Sequence, residues 1–425
     1  MELQLSALWV MLSAILVILM QGGFIMLEAG STRMKNAGHV AGKTIFTFGL
    51  ATIVYWAVGW GFAYGSDSNP FIGFGDFFYN PFGLDDGSLP MSVAFLFQFA
   101  FAAISLTIAW GGFAERGKLA AYLIFTVLFT AFIYPVISHW IWGGGFLAED
   151  GAQDFAGSTV VHLTGAMAAL AATILLKPRI GKFNKDGSAN ELPGHNQVFT
   201  TIGVLILWVG WFGFNAGSTL GIDEAFFSGY VAFNTQLAAG AAAIVALLVA
   251  WAFTGKADIG TMLNGALAGL VAITASCAFV EPGAAVVIGM VAGALVFFSM
   301  KFFEKMKIDD PIYALSVHGA IGIWGTLANG LFATKELAED TVGVGTAGLF
   351  YGGGFGQLWV QIESVVIAGA YAFVLSFVFL LIIKKIVGLR VTEEQEIMGL
   401  DLSEHGTYGY PEQMKSASGS TTVKG

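Results

Sequence analysis

Residues 154–169, DFAGSTVVHLTGAMAA, form an apolar stretch in which His162 is the only titratable side chain after Asp154. The same spacing recurs 156 residues later, where Asp310 lies eight residues before His318 and a valine again precedes the histidine. A titratable group inside an apolar run is costly to bury, so such groups usually face a cavity or the interior of a helix bundle. The matched pair therefore indicates a shared function, whereas one histidine alone could equally be a hydrogen-bonded core residue.

The composition indicates the solvent that surrounds this stretch. Of the 425 residues, 56% are hydrophobic and 11% are charged, whereas about a quarter are charged in an ordinary soluble domain. The 57 glycines allow close approach of helix backbones in lipid. The single cysteine, Cys277, excludes an internal disulfide framework and a four-thiolate metal site. We therefore expect a membrane protein that holds no metal and no cofactor.

Apolar runs long enough to cross the bilayer predict an all-α polytopic protein with eleven transmembrane helices. The predicted spans are Leu5–Leu27, Thr44–Tyr64, Met91–Phe113, Leu119–Ile137, Ala156–Leu176, Val198–Phe214, Ala232–Phe253, Thr261–Val280, Ala284–Met300, Ile312–Ala333 and Val360–Ile383. Residues 1–383 are predicted to form the membrane domain and residues 384–425 a cytoplasmic tail, whose end, SASGSTTVKG, has a composition typical of disorder. That tail is too short for an enzymatic domain.

The charged residues of the loops predict the orientation, because Lys and Arg concentrate in cytoplasmic loops. Every second loop is basic, and the basic residues are Arg33, Lys35, Lys43, Arg116, Lys118, Lys177, Arg179, Lys182, Lys185, Lys256, Lys301, Lys305, Lys307, Lys384, Lys385 and Arg390. The alternate loops are acidic and contain Asp67, Asp76, Asp85, Asp86, Glu149, Asp150, Asp154, Asp223, Glu224, Glu281, Glu336, Glu339 and Asp340, with Lys335 the only base. The N-terminus is therefore expected outside and the C-terminus inside.

A second pair of similar segments indicates an internal repeat. FIMLEAGST at 24–32 in the first span resembles WFGFNAGST at 211–219 in the sixth. Spans one to five and six to ten are then two halves, and because each half has an odd number of spans, the second is inverted relative to the first. Inverted repeats place a functional site near the membrane midplane, so the two histidines would face each other, with an eleventh helix outside the repeat.

The remaining polar and aromatic residues of these segments have ordinary explanations beside functional ones. Asp154 and Asp310 each begin a span, where a carboxylate caps free N–H groups. Capping is the favoured interpretation, with weak attraction of a cation as an addition for Asp154. Trp140 and Trp142 end the fourth span. A Trp near the acidic mouth could bind a cation on its ring face, although core packing and an interfacial aromatic belt also explain such residues and are favoured for Trp140. Buried neutral imidazoles can both donate and accept hydrogen bonds, so a pair can pass a proton.

Longer motifs resemble those of a known family. They are FAAISLTIAWGGFAERGK at 101–118, HWIWGGGFLAEDGAQDFAGSTVVH at 139–162, GWFGFNAGS at 210–218, DDPIYALSVHG at 309–319 and GLRVTEEQEIMGLDLSEHG at 388–406. In this order they resemble the ammonium transporter family, Amt/Mep/Rh, and more closely its Amt branch. The resemblance implies a plasma or inner cell membrane protein that forms a homotrimer with one pore in each subunit.

The resemblance also implies roles for individual residues. It implies an outer ammonium-binding site formed by Phe101, Trp142 and Ser218. A gate formed by Phe101 and Phe214 would lie beneath that site. His162 and His318 would line the central pore and relay a proton. Ammonium would lose its proton and cross as ammonia, whereas potassium cannot. The tail resembles a region that responds to PII signalling proteins, but Thr407 stands where the family pattern has Glu, so PII binding is left open.

Two other classes of function are compatible with parts of the sequence. Two histidines on facing helices could hold a haem in a membrane redox protein, but the predicted spans contain only one such pair. An ammonium sensor could use the same fold, although the tail is too short for an output domain. Ammonium transport without an enzymatic reaction is the favoured prediction.

Overall fold

A computed structural model describes residues 2–82, 89–223 and 226–413, and every regular element in these ranges is a helix. The all-α prediction is confirmed for this part of the chain. The predicted loop acids Asp85, Asp86 and Glu224 lie outside the described residues, as does the end of the predicted tail, 414–425.

A helix coincides with each predicted span, although the ends differ. In chain order the helices are α1 Glu2–Ser31, α2 Met34–Tyr64, α3 Met91–Gly112, α4 Leu119–Glu149, α5 Ser158–Leu176, α6 Gln197–Thr219, α7 Phe227–Thr254, α8 Ile259–Thr274, α9 Pro282–Lys305, α10 Ile321–Phe332 and α11 Gly356–Ile386. Helix α4 is interrupted at residues 143–145, and a π-helical turn, Leu315–Ala320, directly precedes α10.

Nine of these helices, within the described ranges, are long and apolar enough to cross a membrane. The other two are shorter: α8 has 16 residues and α10 has 12. A helix rises about 1.5 Å per residue, so α8 alone spans about 24 Å, less than the hydrocarbon core. The described residues thus support a multi-pass protein with nine candidate spans by length and composition, and the predicted count of eleven stays a prediction.

The predicted start of the second span, Thr44, lies about three turns after the observed start of α2, and the difference concerns Lys43. This lysine was predicted to lie in a basic loop, but it is buried in α2 and its Nζ donates to Glu28 Oε2 at 2.7 Å. Hydropathy alone excludes such a lysine from a span. Its charge is accommodated there because a buried charge can be retained when an opposite charge pairs with it.

The first helices of the two predicted halves pack along each other in opposite directions. Ser31 Oγ lies 3.2 Å from Thr200 Oγ1 at one end of the pair, and Trp9 Nε1 donates to the Ala216 carbonyl at the other. A methyl group on Gly203 would lie 2.4 Å from the backbone N of Leu27, so glycine is required where the backbones touch. This antiparallel contact is the geometry that inverted halves require.

Two of the predicted basic loop residues, Arg33 and Arg179, form ion pairs in a largely buried cluster. Arg179 donates to both carboxylate oxygens of Asp309 and to Glu115, and Arg33 pairs with the same glutamate. We call Arg33, Glu115, Arg179 and Asp309 the Arg179 cluster. Burial alone would raise the pKa of Asp309, but the hydrogen bonds and charge of Arg179 lower this pKa to about 2. The cluster joins the connections after α1, α3, α5 and α9.

The described part of the tail packs against the same side of its own chain. It contains two short helices, α12 Glu393–Met398 and α13 Leu400–His405. Asp401 accepts hydrogen bonds from the backbone N–H groups of Gly38 and His39, and His405 Nε2 lies 2.9 Å from His39 Nδ1. The tail is thus fixed to the start of α2.

Candidate functional site

His162 and His318 meet in the interior of the helix bundle. Their Nδ1 atoms lie 3.2 Å apart and their rings stack with centroids 5.2 Å apart and an interplanar angle of 16°. Both side chains are buried. The equal Asp-to-His spacing therefore corresponds to direct contact between residues 156 positions apart. The pair can hold one proton between the two nitrogens, which is the geometry that proton transfer between the rings needs.

Each histidine lies in a π-helical turn that an aspartate organises. The two turns are Ser158–Leu163 and Leu315–Ala320. Asp154 accepts hydrogen bonds from the backbone N–H groups of Gly157, Thr159 and Val160, at 2.9 to 3.2 Å. Asp310 likewise accepts hydrogen bonds from two backbone N–H groups, those of Leu315 and Ser316. These contacts satisfy free N–H groups at the first turn, as expected for capping residues.

Both aspartates are engaged by backbone groups, and neither lines the cavities described below. Burial raises the pKa of Asp154 to about 6 and that of Asp310 to about 7, against the opposing effect of the backbone N–H groups. The carbonyl oxygen of Asp154 also accepts a hydrogen bond from Trp142 Nε1 at 2.8 Å. One residue therefore positions both the turn of His162 and the indole of Trp142.

A file of aromatic rings leads from Trp142 to the histidines. Phe101 meets Trp142 edge to face at 5.8 Å and stacks on Phe214 at 4.2 Å. Phe214 in turn lies 5.6 Å from the ring of His162, and both phenylalanines are buried. The stacked pair closes the direct route between Trp142 and His162, because a 4.2 Å ring separation leaves no space for another molecule.

A cavity of about 240 Å³ lies on the Trp142 side of this closure. It is lined by Phe97, Gln98, Phe101, Ile141, Trp142, Phe155, Ser218 and Leu220, and we call it the Trp142 cavity. The Ser218 hydroxyl donates to the Phe214 carbonyl at 2.8 Å, which leaves its oxygen able to accept a hydrogen bond. Aromatic faces and a hydroxyl acceptor suit a small cation that carries N–H groups.

A second, smaller cavity lies beyond His318. Its lining includes Phe24, Leu27, Glu28, Thr107, Asn264 and His318, and we call it the Glu28 cavity. It has room for about one water molecule. The structure thus brings the predicted binding, gate and histidine residues together, with the histidine pair between the two cavities, whereas Asp154 and Asp310 contact backbone groups beside it.

The sequence interpretation missed two contacts of the histidine pair. Trp211 stacks on His162 with ring centroids 5.2 Å apart, and Phe24 lies 6.3 Å from His318. Trp211 and Phe24 are the first residues of the two repeated segments, so the internal repeat could have predicted that each contacts one histidine. The prediction that only His162 and His318 lie within spans is wrong, since His39 and His139 are buried in α2 and α4.

Neither additional histidine resembles a free ligand. Both ring nitrogens of His139 lie within 2.9 Å of backbone carbonyl oxygens, those of Ala63 and Asn69. His39 contacts the tail through His405. These contacts are structural, so the second haem-ligand pair that a transmembrane electron path would need is not formed by these residues.

Comparison with known proteins agrees with this geometry. The Ammonium Transporter Family matches residues 8–410. The chain is 42% identical to the ammonium transporter Amt2 of Archaeoglobus fulgidus over 96% of this chain and 89% of that protein, and 36% identical to the ammonium transporter of Bacillus subtilis over 94% and 97%. Among solved structures it resembles a sensor Amt protein, with a TM-score of 0.89, 39% identity and coverage of 95% and 99%.

A more distant structure extends the comparison to fungi. Mep2 of Candida albicans has a TM-score of 0.86 at 28% identity and coverage of 96% of this chain and 91% of that one. The resemblance inferred from the motifs is confirmed, and so is the prediction of a transport protein that is not an enzyme. With the match extending across nearly its whole length, the chain belongs to the Ammonium Transporter Family.

Proposed function

We propose that this protein takes up ammonium at the Trp142 cavity, removes one proton and conducts ammonia past His162 and His318. The observation that carries the proposal is the unbroken file of rings from Trp142 through Phe101 and Phe214 to the histidines. Moving a full charge through this interior costs several kcal/mol, by the order of magnitude for charges at the centre of a membrane. A molecule that sheds its charge avoids the cost.

The Trp142 cavity can select ammonium before this step. The indole and phenyl faces attract a cation, and Ser218 can accept one N–H hydrogen bond that potassium cannot donate. The phenylalanine pair Phe101 and Phe214 then opens transiently as a gate. Ammonia can donate to and accept from the imidazoles, while the released proton is relayed through the same pair. Asp154 and Asp310 hold the two π-helical turns in place.

The arrangement in the membrane completes the proposal. Eleven crossings, with the N-terminus outside and the C-terminus inside, place the Trp142 cavity outside and the Arg179 cluster in the cytoplasm of a cell that carries the protein in its plasma or inner membrane. A homotrimer would cover some of the large apolar side chains that a single chain exposes on α1, α6, α7 and α9. A PII protein would reach the tail, residues 384–425, from the cytoplasm.

Transport is preferred to sensing as the primary function. The curated relatives compared above are named transporters, although one similar structure is titled a sensor. The described part of the tail forms two short helices that pack on its own chain. A sensor would bind ammonium without sustained flux.

Reconstituted protein should therefore conduct ammonium selectively. An ammonium step applied to proteoliposomes on a solid-supported membrane should evoke a current that a tenfold excess of potassium leaves unchanged, because potassium has no proton to lose. Liposomes without protein are the control. Absence of both current and ammonium uptake in folded protein would reject transport and favour the sensor.

The Trp142→Leu variant should bind ammonium more weakly at the entrance. Loss of a desolvated cation–π contact is worth about 1–2 kcal/mol, so the half-saturating ammonium concentration should rise on the order of tenfold. The same electrophysiological titration measures it. The control is Trp56→Leu, an indole on α2 that donates to the Tyr79 carbonyl away from the cavity. An unchanged concentration in Trp142→Leu would remove this residue from the binding site.

A further inference from the structure

The buried ion pair of Glu28 and Lys43 lies beside the proposed pathway and has no role in the mechanism described so far. Glu28 is 2% exposed and Lys43 is 1% exposed. Lys43 Nζ binds Oε2 of the glutamate, whereas Oε1 is buried without a hydrogen-bond partner in the described residues. A buried carboxylate oxygen without a hydrogen-bond partner is costly, and such atoms usually bind an ordered water or have a chemical role.

The unpartnered carboxylate belongs to the wall of the Glu28 cavity, together with His318. Phe24, which contacts the His318 ring, precedes Glu28 by four residues on α1, so the two side chains share one face of the helix. Four residues correspond to about 6 Å along the axis. The carboxylate of Glu28 and the imidazole of His318 therefore face one common space that holds about one water molecule.

The internal repeat provides a comparison for the pair within the same molecule. Aligning FIMLEAGST with WFGFNAGST matches Phe24 to Trp211 and Glu28 to Asn215. Asn215 donates to Thr235 Oγ1 at 3.0 Å, so each half joins its first helix to its second by a buried polar pair. One pair is neutral and the other is ionic, so the packing itself does not require charges.

A buried ion pair is not retained for stability alone. The cost of removing two charges from water often equals or exceeds their attraction, and apolar replacements of the whole pair are often neutral or stabilising. Lys43 is further surrounded by the aromatic rings of Trp110 and Tyr122, each 5.8 Å from Nζ. The ionic pair thus has a high desolvation cost at a position where a neutral pair, as in the other half, could join the two helices.

We propose that Glu28 accepts and donates protons on the side of the twin histidines away from the Trp142 cavity. This inference rests on the proposed proton relay through His162 and His318. His318 releases a proton to the water of the Glu28 cavity, and the water passes one proton to the carboxylate, which becomes a carboxylic acid. Ammonia that arrives in the cavity takes this proton on its lone pair and leaves as ammonium. The carboxylate is restored, and Lys43 stabilises its negative charge throughout.

The pair could instead be purely structural, and two variants separate the roles. Glu28→Gln keeps an acceptor for Lys43 but cannot carry a proton at neutral pH. Glu28→Gln/Lys43→Met also removes the lysine charge and so restores a neutral interior. Both are compared with wild type and with Glu304→Gln, a half-exposed glutamate that pairs with Lys182 outside the pathway.

Two signals are recorded from the same proteoliposomes: the ammonium-evoked current and the pH inside the liposomes. Wild type and Glu304→Gln should give a current with little internal alkalinisation, because the proton accompanies ammonia. Both Glu28 variants should lose at least about tenfold of the current and alkalinise the interior, because ammonia enters without its proton; tenfold corresponds to about 1.4 kcal/mol. If Glu28→Gln does not fold, the double variant decides.

Other outcomes overturn the proposal in distinguishable ways. Recovery of the wild-type current in the double variant would make the pair structural, and so would loss of both signals in folded variants. A wild type that alkalinises the interior without a current would retain ammonia transport but exclude the proton role of Glu28. A wild type without either signal would overturn the proposed function together with this inference.

Discussion

The His318→Ala variant is expected to lose discrimination between ammonium and potassium by on the order of 100-fold, the equivalent of about 2.7 kcal/mol. Removing the imidazole joins the space beside His162 to the Glu28 cavity, and water that fills this space lowers the cost of a cation at the membrane centre. Potassium should therefore evoke a current. Ammonium should then cross as an intact cation, without first losing its proton. The His162→Ala variant should behave similarly because the two rings form one unit.

Current ratios in the two ions, measured on matched amounts of protein, check this prediction. The control is His195→Ala, whose imidazole contacts the Thr32 carbonyl and the Tyr410 hydroxyl near the tail, away from the pathway. Unchanged rate and selectivity in both pore variants would refute the relay, even if transport itself persists.

The Arg179→Ala variant is expected to lose about 3–5 kcal/mol of unfolding free energy. Arg179 makes hydrogen bonds to both carboxylate oxygens of Asp309 and to Glu115, and all three side chains are buried. Its removal leaves two buried carboxylates close together without their shared counter-charge. Equilibrium unfolding in mixed detergent and SDS micelles measures the loss.

The matched control is Lys182→Ala, which breaks an ion pair with the half-exposed Glu304 and should cost at most about 1 kcal/mol. The pH dependence gives a second check. The lowered pKa of Asp309, about 2, means that its contribution is complete above the unfolded pKa of about 4 and is lost as the pH falls through 2. The difference between wild type and variant should thus be constant from pH 5 to 8. A loss below 1 kcal/mol would contradict the assigned role of the cluster.

The sequence predicted the contact between the two histidines of the proposed pathway because repeated spacing is a long-range signal. Asp154 and His162 recur as Asp310 and His318 at equal spacing, and this pattern predicted a contact that hydropathy cannot reveal. The proposed gate residues, Phe101 and Phe214, could not be found in this way, because they lie in apolar helices without a distinctive pattern. Only the resemblance of longer motifs singled them out among 38 phenylalanines.

What could not be predicted concerns charges that find partners far away in the chain. Because Glu28 and Lys43 are charged, the predicted first span ends before Glu28 and the predicted second span begins after Lys43. In the structure the two side chains form an ion pair inside the bundle. Arg179 was counted as an orienting loop charge, yet its partners lie 64 and 130 residues away. A sliding hydropathy window gives each charged residue the cost of burying an isolated charge. It therefore assigns charged residues that are paired inside the bundle to loops.

His162 and His318 contact each other through their Nδ1 atoms, and this arrangement restricts proton transfer when no ammonia is present. With both rings neutral, one Nδ1 carries hydrogen and the other accepts it, so the pair has two opposite tautomeric arrangements. Passage of one proton converts the first arrangement into the second, which can accept the next proton only from the opposite side. His162 is stacked between Trp211 and His318, so its ring cannot turn over without disrupting both contacts. The pair alone would therefore block a continuous proton leak. Under the proposed function, a passing ammonia molecule, which both donates and accepts hydrogen bonds, would reset it.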